Sequence, residues 1–287
     1  MLITTSGQEK FPHKSTAPAR NPQHSSVGIE MRNILIIVCV SLALGIASAT
    51  DYCQKSCGGT KNLGCDNKGE FASSCPAGAT LLTLTDDQKA AIVARTNTYR
   101  NDIAGGLNAN LSAACRMSTI KWNDELAYLA SLNVKSCQMT HDGCHNTDAF
   151  DWSGQNLAWM GWYEPLDIKH YVEWGVDMWY SEAVNTKQSY IDAYPTNYQG
   201  PAIGHFTVLV ADRNTDVGCA VSTYAVEGQP YKAFLMACNY AATNVLGIKM
   251  YSSCPNAPAT KCTTGTNPEY KNLCSANEVY DVNNLFY

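Results

Sequence analysis

The chain has 287 residues, with 20 Lys+Arg against 25 Asp+Glu, a formal net charge of −5, and only 16% charged residues. An acidic chain without a basic run argues against nucleic acid and anionic membrane surfaces as partners. Its 16 tyrosines, six tryptophans and 13 cysteines instead suit an extracellular protein that presents amphipathic aromatic surfaces.

Residues 1–30 are polar, mixed in charge and without apolar periodicity, and read as an unstructured upstream extension. Met31 makes the better start. Met31 and Arg32 precede an apolar run from Ile34 that closes on Ala47-Ser48-Ala49, so residues 31–49 read as a signal peptide, too short to span a bilayer. Cys39 lies inside that run. Its removal leaves an even number of cysteines in a chain exported to an oxidising compartment, which permits six bridges. Four basic residues (Lys10, Lys14, Arg20, Arg32) and two acidic ones (Glu9, Glu30) precede residue 50, so 16 basic stand against 23 acidic beyond it. No second long apolar run follows, so no transmembrane segment is expected after processing.

Residues 50–84 carry Cys53, Cys57, Cys65 and Cys75 among polar residues and read as a loop-rich segment tied by disulfides. Thr85-Asp86-Asp87-Gln88 then forms a capping box that opens a helix through Ala91, Ile92, Tyr99 and Ile103 and stops at Gly105-Gly106. A second helix starts near Asn123 and Asp124, with Leu126, Leu129, Ala130, Val134 and Cys137 at helical spacing. A stretch punctuated by Gly and Asp (142–155) follows. Pro165 then opens a third helix through Tyr171, Trp174, Met178, Trp179 and Glu182. Residues 206–210, 218–224 and 233–238 read as three strands, and the last two place Cys219 opposite Cys238. Residues 246–287 form a cysteine-containing tail. Helices first and strands last give an α+β layered domain with an antiparallel sheet.

Five segments in this order resemble one family: Asn97-Thr98-Tyr99-Arg100, Trp122-Asn123-Asp124-Glu125-Leu126-Ala127, Gly154-Gln155-Asn156-Leu157-Ala158, Gly204-His205-Phe206-Thr207 and Cys238-Asn239-Tyr240-Ala241. That family is the CAP superfamily of cysteine-rich secretory, antigen 5 and pathogenesis-related proteins. Asp51-Tyr52-Cys53 and the cysteine tail are most similar to the insect antigen 5 branch. The resemblance implies a three-layer α-β-α sandwich, with residues 85–245 as the CAP domain. It implies the bridges Cys53–Cys65, Cys57–Cys144, Cys75–Cys137 and Cys219–Cys238. For the remaining four cysteines the expectation is Cys254–Cys262 and Cys115–Cys274.

The resemblance also implies a cleft built from His141, Gln155, Glu182 and His205. Gln155 stands where many members have glutamate, and a carboxamide cannot act as a general base. His141, His205 and Glu182 make a candidate zinc set with an open position, although no cofactor is required by this reading. The same histidines would equally serve packing by hydrogen-bonding backbone and aromatic hydroxyls.

No complete catalytic constellation emerges, so a non-enzymatic protein is expected. Ser153 and Ser181 lie near motif residues, but there is no Gly-x-Ser-x-Gly elbow and no His-Glu-x-x-His. Trp159-Met160-Gly161-Trp162-Tyr163-Glu164-Pro165 offers aromatic rings beside a glycine as an apolar-ligand pocket, or alternatively as core. The expected partner is an extracellular protein or a small apolar ligand such as a lipid, sterol or eicosanoid, bound by a monomer or weak dimer. Asn110-Leu111-Ser112 is the N-glycosylation sequon beyond residue 50.

Overall fold

A computed structural model describes residues 50–286; the upstream extension and the signal-peptide reading lie outside the described residues. Five strands form the sheet: β1 (Thr80–Leu82), β2 (Lys121–Trp122), β3 (Gly154–Trp162), β4 (Asp216–Ala225) and β5 (Lys232–Tyr240). The main path runs β1-β4-β5-β3 and is antiparallel throughout; the two-residue β2 pairs with β4 in parallel.

The sheet is buried on both faces, which its strand pattern explains. Phe234, Met236, Cys238 and Tyr240 of β5 join one core cluster, while Ala233, Leu235 and Ala237 join another. Helix α2 (Asp124–Val134) covers the second face with Ala130 and Val134. Helices α1 (Asp86–Ala104) and α3 (Ile168–Ser181) cover the first through Ile92, Ile103, Val172, Val176 and Trp179. This is the expected three-layer sandwich. Gly218 of β4 allows its closest approach: a Cβ there would lie 2.2 Å from the Asn123 carbonyl oxygen and the Ala127 nitrogen of α2.

The helix starts follow local chemistry. The Thr85 side chain accepts from the Gln88 N–H while the Gln88 side chain accepts from the Thr85 N–H, a complete capping box. Asn123 caps α2 by accepting from Glu125 and Leu126. Asp167 caps α3, which therefore begins at Ile168 rather than at Pro165 and ends at Ser181, with Glu182 in the 3₁₀ turn beyond it.

Two further expectations are corrected, and one open alternative is decided. Residues 206–210 are not a strand: Gly204–Leu209 is a six-residue helix, α5, which follows the short α4 (Gln188–Asp192). Phe206, Thr207, Val208 and Leu209 are all buried, so the run shows no apolar stripe of helical period. Thr207 suits the helix because its hydroxyl donates to the carbonyls of Ile203 and Gly204.

Of the two readings of the aromatic string from Trp159, pocket lining or core, the first four residues follow the core one. Trp159 to Trp162 complete β3; Met160 and Trp162 pack in one core cluster, Trp159 against the other, and the Trp162 indole donates to the Ala233 carbonyl. Gly161 admits the Tyr231 ring, which a Cβ would meet at 3.0 Å.

Finally, the last four cysteines pair as Cys115–Cys254 and Cys262–Cys274, not as Cys254–Cys262 and Cys115–Cys274. Backbone hydrogen bonds from Cys115 to Ser252 and from Cys254 to Ala113 lay these segments side by side. The other four bridges join the pairs implied by the resemblance, Cys219 and Cys238 being directly opposite in register.

The tail has no helix or strand among the described residues after Tyr240. Its anchor is Glu278, whose buried carboxylate accepts from the backbone and hydroxyls of Thr263 and Thr264 and pairs with Arg116 at 2.7 Å. Burial works to raise its pKa, but these donors outweigh it and hold the carboxyl down at about 2.

Candidate functional site

A cleft of about 450 Å³ opens where the start of β3, the start of α5 and the loop between α2 and β3 meet; His141, Asp142, His145, Gln155, Asn156 and His205 are among its walls. The α2–β3 loop has no regular structure of its own. It is held by disulfides on either side of His141, at Cys137 to Cys75 and at Cys144 to Cys57. His205 is the second residue of α5, and its backbone carbonyl accepts from the Asn156 side chain across to β3.

His205 Nδ1 lies 2.6 Å from Glu182 Oε1, and Glu182 Oε2 accepts from the Phe206 N–H at 3.1 Å. One carboxylate therefore orients the ring and satisfies an orphan amide in the first turn of α5. A carboxylate only accepts, so the proton sits on Nδ1 and leaves the Nε2 lone pair free for a ligand. Trp179 stacks on the imidazole with centroids 6.3 Å apart. Glu182 stands behind His205 and does not line the cleft.

The opposite imidazole is held differently. His141 Nδ1 lies 2.9 Å from Gln155 Oε1. The amide is oriented by its other end, where Nε2 donates to Asp142 Oδ2 at 2.6 Å and to Asn239 Oδ1 at 2.9 Å. Gln155 and Asn239 are directly paired in the β3–β5 register, so the sheet itself sets this amide. His141 thus also carries its proton on Nδ1 and keeps Nε2 as an acceptor.

Asp142 collects this side: it accepts from Gln155, from Asn133 Nδ2 at 3.0 Å and from His145 Nδ1 at 2.7 Å. Burial works to raise its pKa, but His145 above all, with the two amides, holds the carboxyl below the usual aspartate range. Asp142 and His145 were not singled out in the sequence. The signal available was an Asp beside His141 and a second His four positions on, but in a loop no periodicity says that they converge.

Two imidazoles with free Nε2 atoms and carboxylate or amide backing fit a divalent transition metal, because this backing is what holds a histidine ligand in tautomer and direction. Among the described residues, the trio of metal-ligating side chains within 4.8 Å of one another is Cys53, Cys65 and Asp66, and its sulfurs are already joined in a disulfide. The cleft accordingly offers two protein ligands, fewer than a structural zinc site has.

Neither candidate serine is activated. Ser153, which lines the cleft, donates to the Phe150 carbonyl at 3.3 Å, and Ser181 donates to the Met178 carbonyl at 2.6 Å. Asn110 is exposed in the loop after α1. No helix among the described residues is long and apolar enough to cross a membrane.

The model of the cysteine-rich secretory protein family (CAP) matches residues 93–240. Venom allergen-1 of Aedes albopictus is 36% identical over 247 residues, spanning 85% of this chain and 94% of that protein. The antigen 5 like allergen Cul n 1 of Culicoides nubeculosus is 37% identical over 199 residues, 66% of this chain and 88% of that one. The crystal structure of NaASP2 with Zn2+ superposes with a TM-score of 0.55 at 21% identity, over 70% of this chain and all of that one, which shows a shared fold.

Proposed function

The chain belongs to the cysteine-rich secretory protein (CAP) family and is antigen 5-like, and on that premise we propose that it is an exported, non-enzymatic recognition protein whose cleft holds an exchangeable zinc ion. The observation that carries this reading is the matched pair of imidazoles: both spend Nδ1 on an internal acceptor and keep Nε2 for a ligand in the same cleft. His141 and His205 would hold the ion, and Glu182 and Gln155 would orient them. Bound zinc supplies a positive anchor with open positions, able to take a carbonyl or carboxylate of an extracellular partner.

Export is supported by six disulfides, which persist in an oxidising compartment. A non-enzymatic role is supported by Ser153 and Ser181, whose hydroxyls donate to backbone carbonyls rather than to an imidazole. Assays of purified protein, with and without zinc, against peptide and ester substrates test this. No turnover is expected; turnover abolished by Glu182→Ala would overturn it.

A further inference from the structure

One hydroxyl at Thr50 ties two elements together. It donates to Glu125 Oε1 in the first turn of α2 and accepts from the Asp148 N–H in the α2–β3 loop at 3.2 Å. His141, which helps wall the cleft, stands in the same loop. The Tyr52 hydroxyl also donates to Glu125 Oε1, at 3.1 Å, and the Tyr52 ring stacks on Tyr128 of α2. Residues 50–52 are thereby held against α2, and the Cys53–Cys65 bridge follows directly.

This corner is short of positive charge. The half-buried Glu125 carboxylate takes the two neutral hydroxyls, and among the described residues no lysine, arginine or histidine pairs with it. Lys55 is already shared by Asp148 at 3.3 Å and Asp151 at 3.5 Å. Asp51 adds a further carboxylate, whose Oδ1 accepts from the Cys53 N–H. Burial first, and the Glu125 charge next, hold the Tyr52 hydroxyl well above its ordinary pKa. Glu125 is thus a carboxylate with a place for one cation.

An independent feature of the sequence puts a cation at the same residue. Ala47-Ser48-Ala49 has the small-residue pattern of a signal-peptide cleavage site, and cleavage after Ala49 makes Thr50 the first residue. Hydrolysis of that peptide bond adds one water: the oxygen completes the Ala49 carboxylate, and the Thr50 nitrogen becomes an ammonium at neutral pH. A threonine nitrogen lies within about 4 Å of its own hydroxyl oxygen, so the new charge arises beside the atom already bonded to Glu125. We propose that the Thr50 α-ammonium released by this cleavage docks on Glu125 as an ion pair, so that processing completes the clamp between α2 and the α2–β3 loop. The proposal rests on the export reading above. The charged and titratable groups around the amine are Glu125 from α2, Asp148 and Asp151 from the loop, and Asp51, Tyr52 and Lys55 from its own segment. Pairing raises an amine above its ordinary range of about 8, so the clamp is full below that range and is lost as pH rises through the raised value.

The test expresses the full chain for secretion in two forms, native and with Thr-Gly inserted between Ala49 and Thr50, which moves the terminal amine away but keeps a terminal threonine. Each form is made with Glu125 and with Glu125→Gln. Intact mass is expected to place the native terminus at Thr50. At pH 7 Glu125→Gln is expected to lower the thermal midpoint of the native form by about 2–4 °C more than that of the inserted form, and this excess is expected to vanish at pH 10.5. Should Glu125→Gln not be secreted, reductive 13C-methylation followed by NMR reads the terminal amine directly. Its pKa is expected at least half a unit higher in the native form than in the inserted one. A secreted chain that begins elsewhere than Thr50, equal Glu125→Gln shifts in the two forms at pH 7, or equal amine pKa values would each overturn the docking while leaving export intact. A chain retained uncleaved in the cells would overturn the export reading and the docking together.

Discussion

The two sides of the cleft hold the same ring by opposite means. On the α5 side a carboxylate, Glu182, meets His205 directly at 2.6 Å; on the loop side a neutral amide, Gln155, meets His141 at 2.9 Å and only then reaches a carboxylate, Asp142. A charged acceptor makes the stronger hydrogen bond and the more basic ligand nitrogen. An amide interposed between ring and charge keeps the geometry while diluting the electrostatics. On the proposed zinc reading, the difference would make His205 the principal anchor of the ion and His141 the adjustable one, as suits an ion that exchanges.

The comparison is bounded first by a carboxylate outside the cleft. Glu278→Ala is expected to cost about 3 kcal/mol in denaturant unfolding, because it leaves the Thr263 and Thr264 donors unmet and removes the Arg116 ion pair. Zinc affinity should stay unchanged. Glu278 is lowered in the fold, so its contribution is full above the ordinary glutamate range and is lost as pH falls from there through about 2. An acid unfolding profile identical in wild type and Glu278→Gln would contradict that assignment.

Within the cleft, Glu182→Ala is expected to lower zinc affinity by about 10–100-fold, the usual cost of losing a ligand's orienting partner. The equivalent change opposite, Gln155→Ala, should cost distinctly less. Equal losses at the two positions would break the asymmetry. Gln155→Glu sharpens it further. The new carboxylate would replace an N–H that now donates to Asp142 at 2.6 Å, so two like charges would share one site and one pKa would rise. The variant should therefore be less stable than wild type at neutral pH, by about 1–2 kcal/mol, with the deficit shrinking on acidification. The smallest effect is expected for Asp142→Asn: a zinc affinity change below tenfold, read by the same titration, because the charge acts on His141 only through the amide.

Much of this architecture was legible in the residues. Thr85 with Gln88 and Asn123 with its neighbours state helix starts in local chemistry, and the pairing of β4 with β5 followed from two adjacent strand-like runs joined by a turn, which set their cysteines opposite one another. What failed were segments whose burial is set by the whole fold. Strand β3 is covered on both faces and lacks the period-two alternation that marks a half-buried strand. Helix α5 is a β-branched run enclosed almost all round, so its pattern fits strand as well as helix. The bridges among Cys115, Cys254, Cys262 and Cys274 depend on how the tail lies across residues 113–119, which spacing does not encode.

At the cleft, the motif residues His141, Gln155, Glu182 and His205 were readable through their segments. Their division of labour was not, since Glu182 reads as a ligand in sequence and lies behind His205 in space. Asp142 and His145 escaped because a loop fixed by disulfides carries no periodic signature.

The most direct test of the central claim is a zinc titration by isothermal calorimetry of the oxidised, metal-stripped protein beside the His141→Ala/His205→Ala double variant. One exchangeable ion should bind wild type and none should bind the double variant, with unfolding curves confirming that both are folded. Identical isotherms for the two proteins, with or without heat, would contradict a zinc site between these imidazoles.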